Sequence, residues 1–214
     1  MKIDPEKLNP RQRHLLIGNM VVPRPISLIS TVSPKGNFNL APYSLFNVIC
    51  YTPAMVFFTP MRKDNGGKKD TLVNVEQTGE FVISLVTEDI AAQMNITSGA
   101  YPPEVDEFQK SGLTPVPSDL VKPPRVAESP FHLECRMTQI ISFGQPEATA
   151  EMVMGTILRI HIQDNFYKDG LADINTAHLI GRMGSGIYTK THDLFKMQPG
   201  GNLGAVPPDK RLGM

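Results

Sequence analysis

Phe131, Leu133, Cys135 and Met137 alternate with His132, Glu134, Arg136 and Thr138 along eight consecutive residues. A period of two marks a strand with one buried face, because successive side chains of an extended chain point to opposite sides. After the turn residues Gly144-Gln145-Pro146 the alternation returns, with Met152, Met154, Leu158, Ile160 and Ile162 on one face and Glu151, Arg159, His161 and Gln163 on the other. Two such runs joined by a turn form an antiparallel pair, and the rest of the chain must fold around it. Composition agrees: 17 Gly and 19 Pro among 214 residues favour many turns over long helices.

The preceding sequence supplies the partners. Ile26 to Ser33, the turn signal Pro34-Lys35-Gly36-Asn37 and Phe38 to Phe46 read as a hairpin. Ala54 to Thr59, between Pro53 and Pro60, suits a short buried strand. A loop from Arg62 to Lys69 carries two glycines and four positive charges. Asp70 then caps a helix through Thr71 to Gln77, with Gly79 as its C-cap and a strand, Glu80 to Val86, directly after. Glu88 to Ser98 reads as a second helix. Between Gly99 and Pro130 seven prolines leave no regular element room to persist, so this stretch is expected to be an ordered excursion over the surface. About six strands, mostly adjacent in sequence, with helices inserted in the middle, make a mainly β fold: an antiparallel barrel, since closure removes exposed edges. One domain spanning 1–214 is expected, with a barrel core over about 20–190 and a C-terminal arm over about 191–214, rich in Gly and Pro beyond Pro199.

Several function classes are excluded by what the chain lacks. Lys plus Arg and Asp plus Glu are both 21, so no polyelectrolyte patch is available for duplex nucleic acid. No apolar run approaches the roughly 20 residues of a membrane span, and Met1 to Lys7 has no signal-peptide core, so a cytoplasmic protein with no membrane partner is expected. Cys50 and Cys135 make neither a disulfide framework nor a zinc site and are expected to be buried as small hydrophobes. His14, His132, His161, His178 and His192 never occur at metal-ligand spacing, so no metal is expected. GxSxG, Walker A and Rossmann fingerprints are absent; Gly181, Gly184 and Gly186 have the wrong order and place.

Three polar clusters remain. Ser30, Thr31, Ser33, Asn39, Ser44 and Asn47 interrupt apolar strands; they either bind the edge of a flat heterocycle or satisfy turns and barrel ends. Lys68-Lys69-Asp70-Thr71 opens a helix, where free N–H groups and the positive end of the dipole favour an anion such as phosphate; the plainer reading is an Asp cap beside solvated lysines. His178 to Tyr188 joins His, Arg and Tyr to a glycine-rich stretch that lets a ligand approach the backbone, or is a turn with a surface Arg and a half-buried Tyr.

Arg24-Pro25-Ile26-Ser27-Leu28-Ile29-Ser30-Thr31, Asn39-Leu40-Ala41-Pro42-Tyr43-Ser44-Leu45-Phe46-Asn47, Lys69-Asp70-Thr71 with Asn74, and Gly79-Glu80-Phe81-Val82 together resemble the flavin reductase-like family of FMN-binding split-barrel proteins. The likeness covers roughly residues 20 to 190. With Gly181-Arg182 and Tyr188 it is greatest to the longer members related to the flavin reductase component of nitrilotriacetate monooxygenase and to flavoredoxin. Two departures are Ser84, where many relatives have Asn, and the proline-rich excursion. The resemblance implies a six-stranded split barrel, a homodimer and FMN near the subunit interface. It places Ser30, Thr31, Val32 and Ser33 along the flavin ring edge, with Asn39, Leu40 and Ala41 beside it. Ser44, Lys69, Asp70 and Thr71 surround the ribityl chain and phosphate, Arg62 assists, and His178, Arg182 and Tyr188 close the site from one subunit or the other.

The implied activity is hydride transfer from NADH or NADPH to FMN, with electrons passed to free flavin, an oxygenase or a redox protein. His178 is the one candidate catalytic residue, as a contact for nicotinamide or a guard of the flavin face. The alternatives are an FMN electron carrier with little NAD(P)H activity and a flavin-free barrel serving in assembly.

Overall fold

The structure is a computed structural model that describes residues 1–144 and 150–195; Gln145 and Pro146 of the expected turn, and 196–214 of the expected arm, lie outside the described residues. In chain order the elements are α1 (Pro10–Met20), β1 (Arg24–Pro25), β2 (Ser27–Val32), β3 (Phe38–Tyr43), β4 (Phe46–Tyr51), β5 (Ala54–Phe58), α2 (Asp70–Thr78), β6 (Glu80–Leu85), α3 (Ala91–Ile96), α4 (Glu107–Ser111), β7 (Pro115–Val116), β8 (Arg125–Val126), β9 (Phe131–Phe143), β10 (Ala150–Ile162), β11 (Tyr167–Lys168), β12 (Leu171–Ala172), β13 (Ile180–Gly184) and β14 (Ile187–Lys190).

Seven strands form one antiparallel sheet in the order β3-β2-β6-β9-β10-β5-β4, one more than expected. β3 and β4 stand at opposite ends of that order, yet only Ser44 and Leu45 join them. Three Cα steps reach at most about 11 Å, so the two ends of the sheet must curl towards each other without pairing. That is a split barrel, the mainly β architecture the alternation implies. The sequence reading ran Phe38 to Phe46 as one strand; the chain instead crosses the seam at Ser44.

Ile29, Val56, Phe58, Phe81, Ile83 and Val153 fill the barrel, and α2 closes it with Leu72 and Val75. Gly79 ends α2 in the left-handed conformation, its N–H donating to Val75 O at 2.8 Å, as its place after the helix implies. The start of α2 differs from expectation: Lys69 is the N-cap with no side-chain cap bond, and Asp70 is the first helical residue. The Asp70 carboxylate is held instead by Lys63 Nζ at 3.0 Å to each oxygen.

A second core explains the largest departure. The 99–130 stretch contains α4, β7 and β8, and it buries Phe108, Leu113 and Val126 against Ile26, Leu28 and Leu40 on the outer face of β2 and β3. It is a second layer of the fold rather than an excursion over the surface. Because it also covers β9, His132 and Glu134 are buried alongside Cys135, although their alternation assigned them to solvent. Glu134 is fully satisfied there, accepting from Asp119 N–H at 2.8 Å, Leu120 N–H at 2.7 Å and His161 Nε2 at 2.5 Å.

In β10 the faces are reversed from expectation: Glu151 and Val153 are buried while Ile160 is exposed. The pairing of β9 with β10 is irregular at Thr138 of β9 and at Leu158 of β10, where one strand carries an unpaired extra residue. Cys135 is buried, whereas Cys50 is only partly so. The second helix is shorter than Glu88 to Ser98, and α1 precedes everything the sequence reading assigned. A capping box between Asn9 and Gln12 and Pro10 in its first turn start α1 locally, yet none of its residues is buried. No helix among the described residues is long and apolar enough to cross a membrane.

Candidate functional site

The first turn of α2 opens onto a cavity of about 480 Å³ lined by Asn39, Ala41, Lys63, Lys69, Asp70 and Thr71, with Tyr101 and Glu107 opposite. β3 supplies Asn39 and Ala41 from the face that turns towards α2, and the 97–107 segment supplies the far wall. A neighbouring cavity of about 630 Å³ shares Asn39 and Asp70 and continues along Ser33, Phe38, Val73 and Pro103. Each is within the roughly 300–1,000 Å³ of small-molecule and cofactor sites.

Four cations sit in the loop before α2, and their partners distinguish them. Arg62 pairs with buried Glu151, Lys63 with Asp70, and Lys68 with Glu76. Among the described residues Lys69 has no ion-pair partner, and it lines the cavity at the uncapped start of the helix. Unmet N–H groups, the positive dipole end and one ammonium without an ion-pair partner together favour an anion at this position. The Lys63 pairing neutralises Asp70, the one carboxylate in that turn.

A buried network holds this turn to the sheet. Asn39 Nδ2 donates to Thr31 Oγ1 at 3.2 Å and to Thr71 Oγ1 at 2.8 Å, and Asn74 Nδ2 donates to Thr31 Oγ1 at 3.0 Å. Glu107 Oε2 accepts the Leu40 N–H at 3.0 Å, and burial raises the carboxyl above its ordinary range despite that bond. Burial likewise pushes the Tyr43 phenol up, against the lowering effect of a hydrogen bond to Thr71.

The residues named from the sequence divide into groups. Asn39, Ala41, Lys69, Asp70 and Thr71 line the first cavity, Ser33 lines its neighbour, and Thr31 anchors the network between sheet and helix. Ser30, Val32 and Leu40 face the other way: Ser30 Oγ donates to Pro124 O, and Leu40 packs in the second core. Successive strand residues cannot all turn to one side, so a contiguous run is halved by the pleat. Arg62 is turned to Glu151 rather than to this cavity. Ser44 accepts from Arg24 Nε at 3.3 Å, and the Arg182 guanidinium lies 4.6 Å over the Tyr188 ring and donates to its hydroxyl. His178 stacks edge to face on His192, 4.6 Å between centroids. None of Ser44, His178, Arg182 and Tyr188 lines the cavity in a single chain; they gather around the separate three-stranded sheet β1-β13-β14. Sequence reasoning missed Lys63, Tyr101 and Glu107. Lys63 carried a legible signal, a cation seven residues before Asp70, but nothing local points to the other two within a proline-rich stretch.

Comparison with known proteins bears on this arrangement. Residues 19–178 match the flavin reductase like domain. An uncharacterised protein of Halalkalibacterium halodurans is 33% identical over 199 residues, covering 92% of this chain and 95% of that one. Nitrilotriacetate monooxygenase component B from Bacillus cereus superposes with a TM-score of 0.89 at 28% identity, covering 92% of this chain and 98% of the other. The 2-nitrobenzoate 2-nitroreductase of Pseudomonas fluorescens does so with a TM-score of 0.84 at 27% identity, covering 92% and 95%. A split barrel whose residues 19–178, three quarters of its length, match this domain belongs to the flavin reductase-like family, and its chemistry is flavin-linked redox chemistry.

Proposed function

We propose that this protein binds FMN in the cleft before α2 and catalyses hydride transfer from NADH or NADPH to the flavin, supplying electrons to free flavin, an oxygenase component or another small acceptor. The observation that carries this reading is Lys69, the loop cation without an ion-pair partner among the described residues, at an uncapped helix start that opens into a cavity of about 480 Å³. The donor set fits a phosphate monoester: unmet backbone N–H groups, one ammonium and a threonine hydroxyl, with the nearby carboxylate already neutralised. The neighbouring cavity, walled by Pro34, Phe38, Val73 and Pro103, offers mostly apolar surface to a flat ring.

In this reading bound flavin supplies the hydride-accepting chemistry. Lys69 and the first-turn N–H groups of α2 hold the phosphate, Thr71 donates to it, and Lys63 keeps Asp70 from repelling it. Asn39 fixes the Thr71 hydroxyl, and Glu107 faces the polyol chain. The apolar wall excludes water from the ring. No side-chain acid or base is required, because the donor and acceptor carbon and nitrogen need only be held at contact distance. His178 has no part in this reading within one chain, since its ring packs on His192 and its carbonyl accepts the Glu88 N–H.

A homodimer in the cytoplasm is part of the proposal. α1 leaves Leu15, Leu16, Ile17 and Met20 exposed, and the edge strand β4 exposes Val48, Ile49 and Tyr51. An eleven-residue helix without a buried residue is marginal alone, and an apolar sheet edge invites pairing, so a second copy covering both supports the dimer.

The test is a visible spectrum of the purified chain with FMN, followed by anaerobic addition of NADH and then NADPH. Rapid bleaching of bound flavin is the expected result and identifies the donor. Bound flavin that stays oxidised would replace the reductase with an electron carrier, and no bound flavin would overturn the site.

A further inference from the structure

Outside the cleft, Glu88, His178 and His192 converge where β6 leads into α3, with one potential ligand atom from each lying within 4.8 Å of the others. Fourteen residues separate the two histidines, and ninety separate Glu88 from His178, so no spacing motif announces the group. The backbone fastens it: Glu88 N–H donates to His178 O at 3.0 Å, and Ile180 N–H donates to Val86 O at 3.1 Å. His178 is held at φ 47°, a left-handed conformation uncommon for a residue with a side chain. Strained backbone of this kind collects where a side chain must be aimed.

The Glu88 carboxylate is the informative group. Its Oε1 is buried, and His192 Nε2 lies in contact with it. Its Oε2 has Lys190 Nζ at 2.7 Å. A buried carboxylate oxygen and a ring nitrogen that already meet, beside a second imidazole, are a donor set that can close around a cation. Lys190 currently provides that positive charge, and its exposed, flexible stem can withdraw. The other mixed cluster, Asp119 with Glu134 and His161, lacks this character, because three hydrogen bonds already use the Glu134 oxygens.

We propose that Glu88, His178 and His192 form a binding site for a divalent transition ion of the zinc type, distinct from the flavin cleft and independent of the flavin reading. Two imidazoles and one carboxylate are the borderline donor set such ions take, whereas calcium and magnesium require oxygen ligands. Three protein ligands leave a fourth position for water or a small anion. The ion replaces Lys190 as the counter-charge of Glu88 and ties the β13–β14 hairpin and the segment after it to the end of β6.

The full-length chain without an affinity tag, stripped with a chelator, is titrated with Co²⁺ and then with Zn²⁺. The expected result is one Co²⁺ per chain with ligand-field absorption, displaced by Zn²⁺. His192→Asn and Glu88→Gln each weaken binding at least about tenfold, while His14→Asn on exposed α1 leaves it unchanged. His192 is 48% exposed, so its replacement tests the site even where Glu88→Gln fails to fold. FMN binding in the same samples stays as in the parent, which separates this site from the cleft. No saturable Co²⁺ binding, or binding that survives His192→Asn, overturns the proposal.

Discussion

Lys69 and Lys68 are adjacent in sequence and opposite in circumstance. Lys68 reaches Glu76 at 2.6 Å, whereas Lys69 faces the cavity alone among the described loop cations. Lys69→Ala is therefore expected to weaken FMN binding by about 10- to 100-fold, the loss of one hydrogen bond to a charged group at about 1.5–3 kcal/mol. Lys68→Ala changes it little, and fluorescence titration of the two variants checks the contrast. His132 is a second residue whose surroundings decide its behaviour. Burial, then the positive charges of Arg125 and His161, push its imidazole down to about 3, with Ser84 Oγ 2.9 Å from Nδ1. The folded chain thus binds this proton less readily than the unfolded chain. Stability is fully present above about pH 6.5 and falls as pH drops towards about 3. Glu134, held below its ordinary range by hydrogen bonds from Asp119, His161 and Leu120 that outweigh its burial, loses stability in the same direction. Urea midpoints at pH 7 and pH 4.5 are expected to differ less in His132→Gln than in the parent; an equal drop in both would remove His132 as a cause.

At the scale of elements, glycines mark where backbone geometry admits nothing larger. A Cβ on Gly155 would lie 2.7 Å from the Phe81 ring and 3.0 Å from Arg136 O, at the irregularity where β10 bends over β9. Gly155→Ala forces a core ring or the sheet backbone to move, an overpacking cost of about 1–3 kcal/mol, and thermal unfolding should show the lower midpoint. Gly79→Ala meets no neighbour but must hold φ 71°, so a smaller loss of about 1 kcal/mol is expected from the same measurement. Gly79 was legible from sequence, since a glycine after an apolar-periodic run is a helix stop. Gly155 was not, because its constraint comes from Phe81, on a strand more than seventy residues away. The same holds for the 99–130 layer: proline density correctly denies it long elements but says nothing of what Phe108 and Val126 pack upon.

For the molecule as a whole, the covering of α1 is the open energetic question. Ile17 and Met20 are 50% and 73% exposed, and the helix is tied at its end by Arg24 bonds to Gly18 O and Val21 O and by the Ser185 hydroxyl donating to Asn19 Oδ1. Sedimentation of the parent is expected to give a dimer, and Ile17→Glu with Met20→Glu a monomer. A monomeric parent with FMN bound would show that these faces serve no second copy and that the site is complete in one chain.

Local chemistry and periodicity determined the strand-rich class, the β2–β3 hairpin, and α2 with its glycine stop, because each depends on neighbours within a few residues. The division of Ser30, Thr31, Leu40 and Asn39 between two faces, the burial of His132 and Glu134, and the meeting of Glu88 with His178 and His192 were decided only by tertiary structure. The physical reason is the same in each case: a strand's pattern records two faces but not what covers them. Here one face closes on the barrel core and the other lies under a layer folded from residues far along the chain.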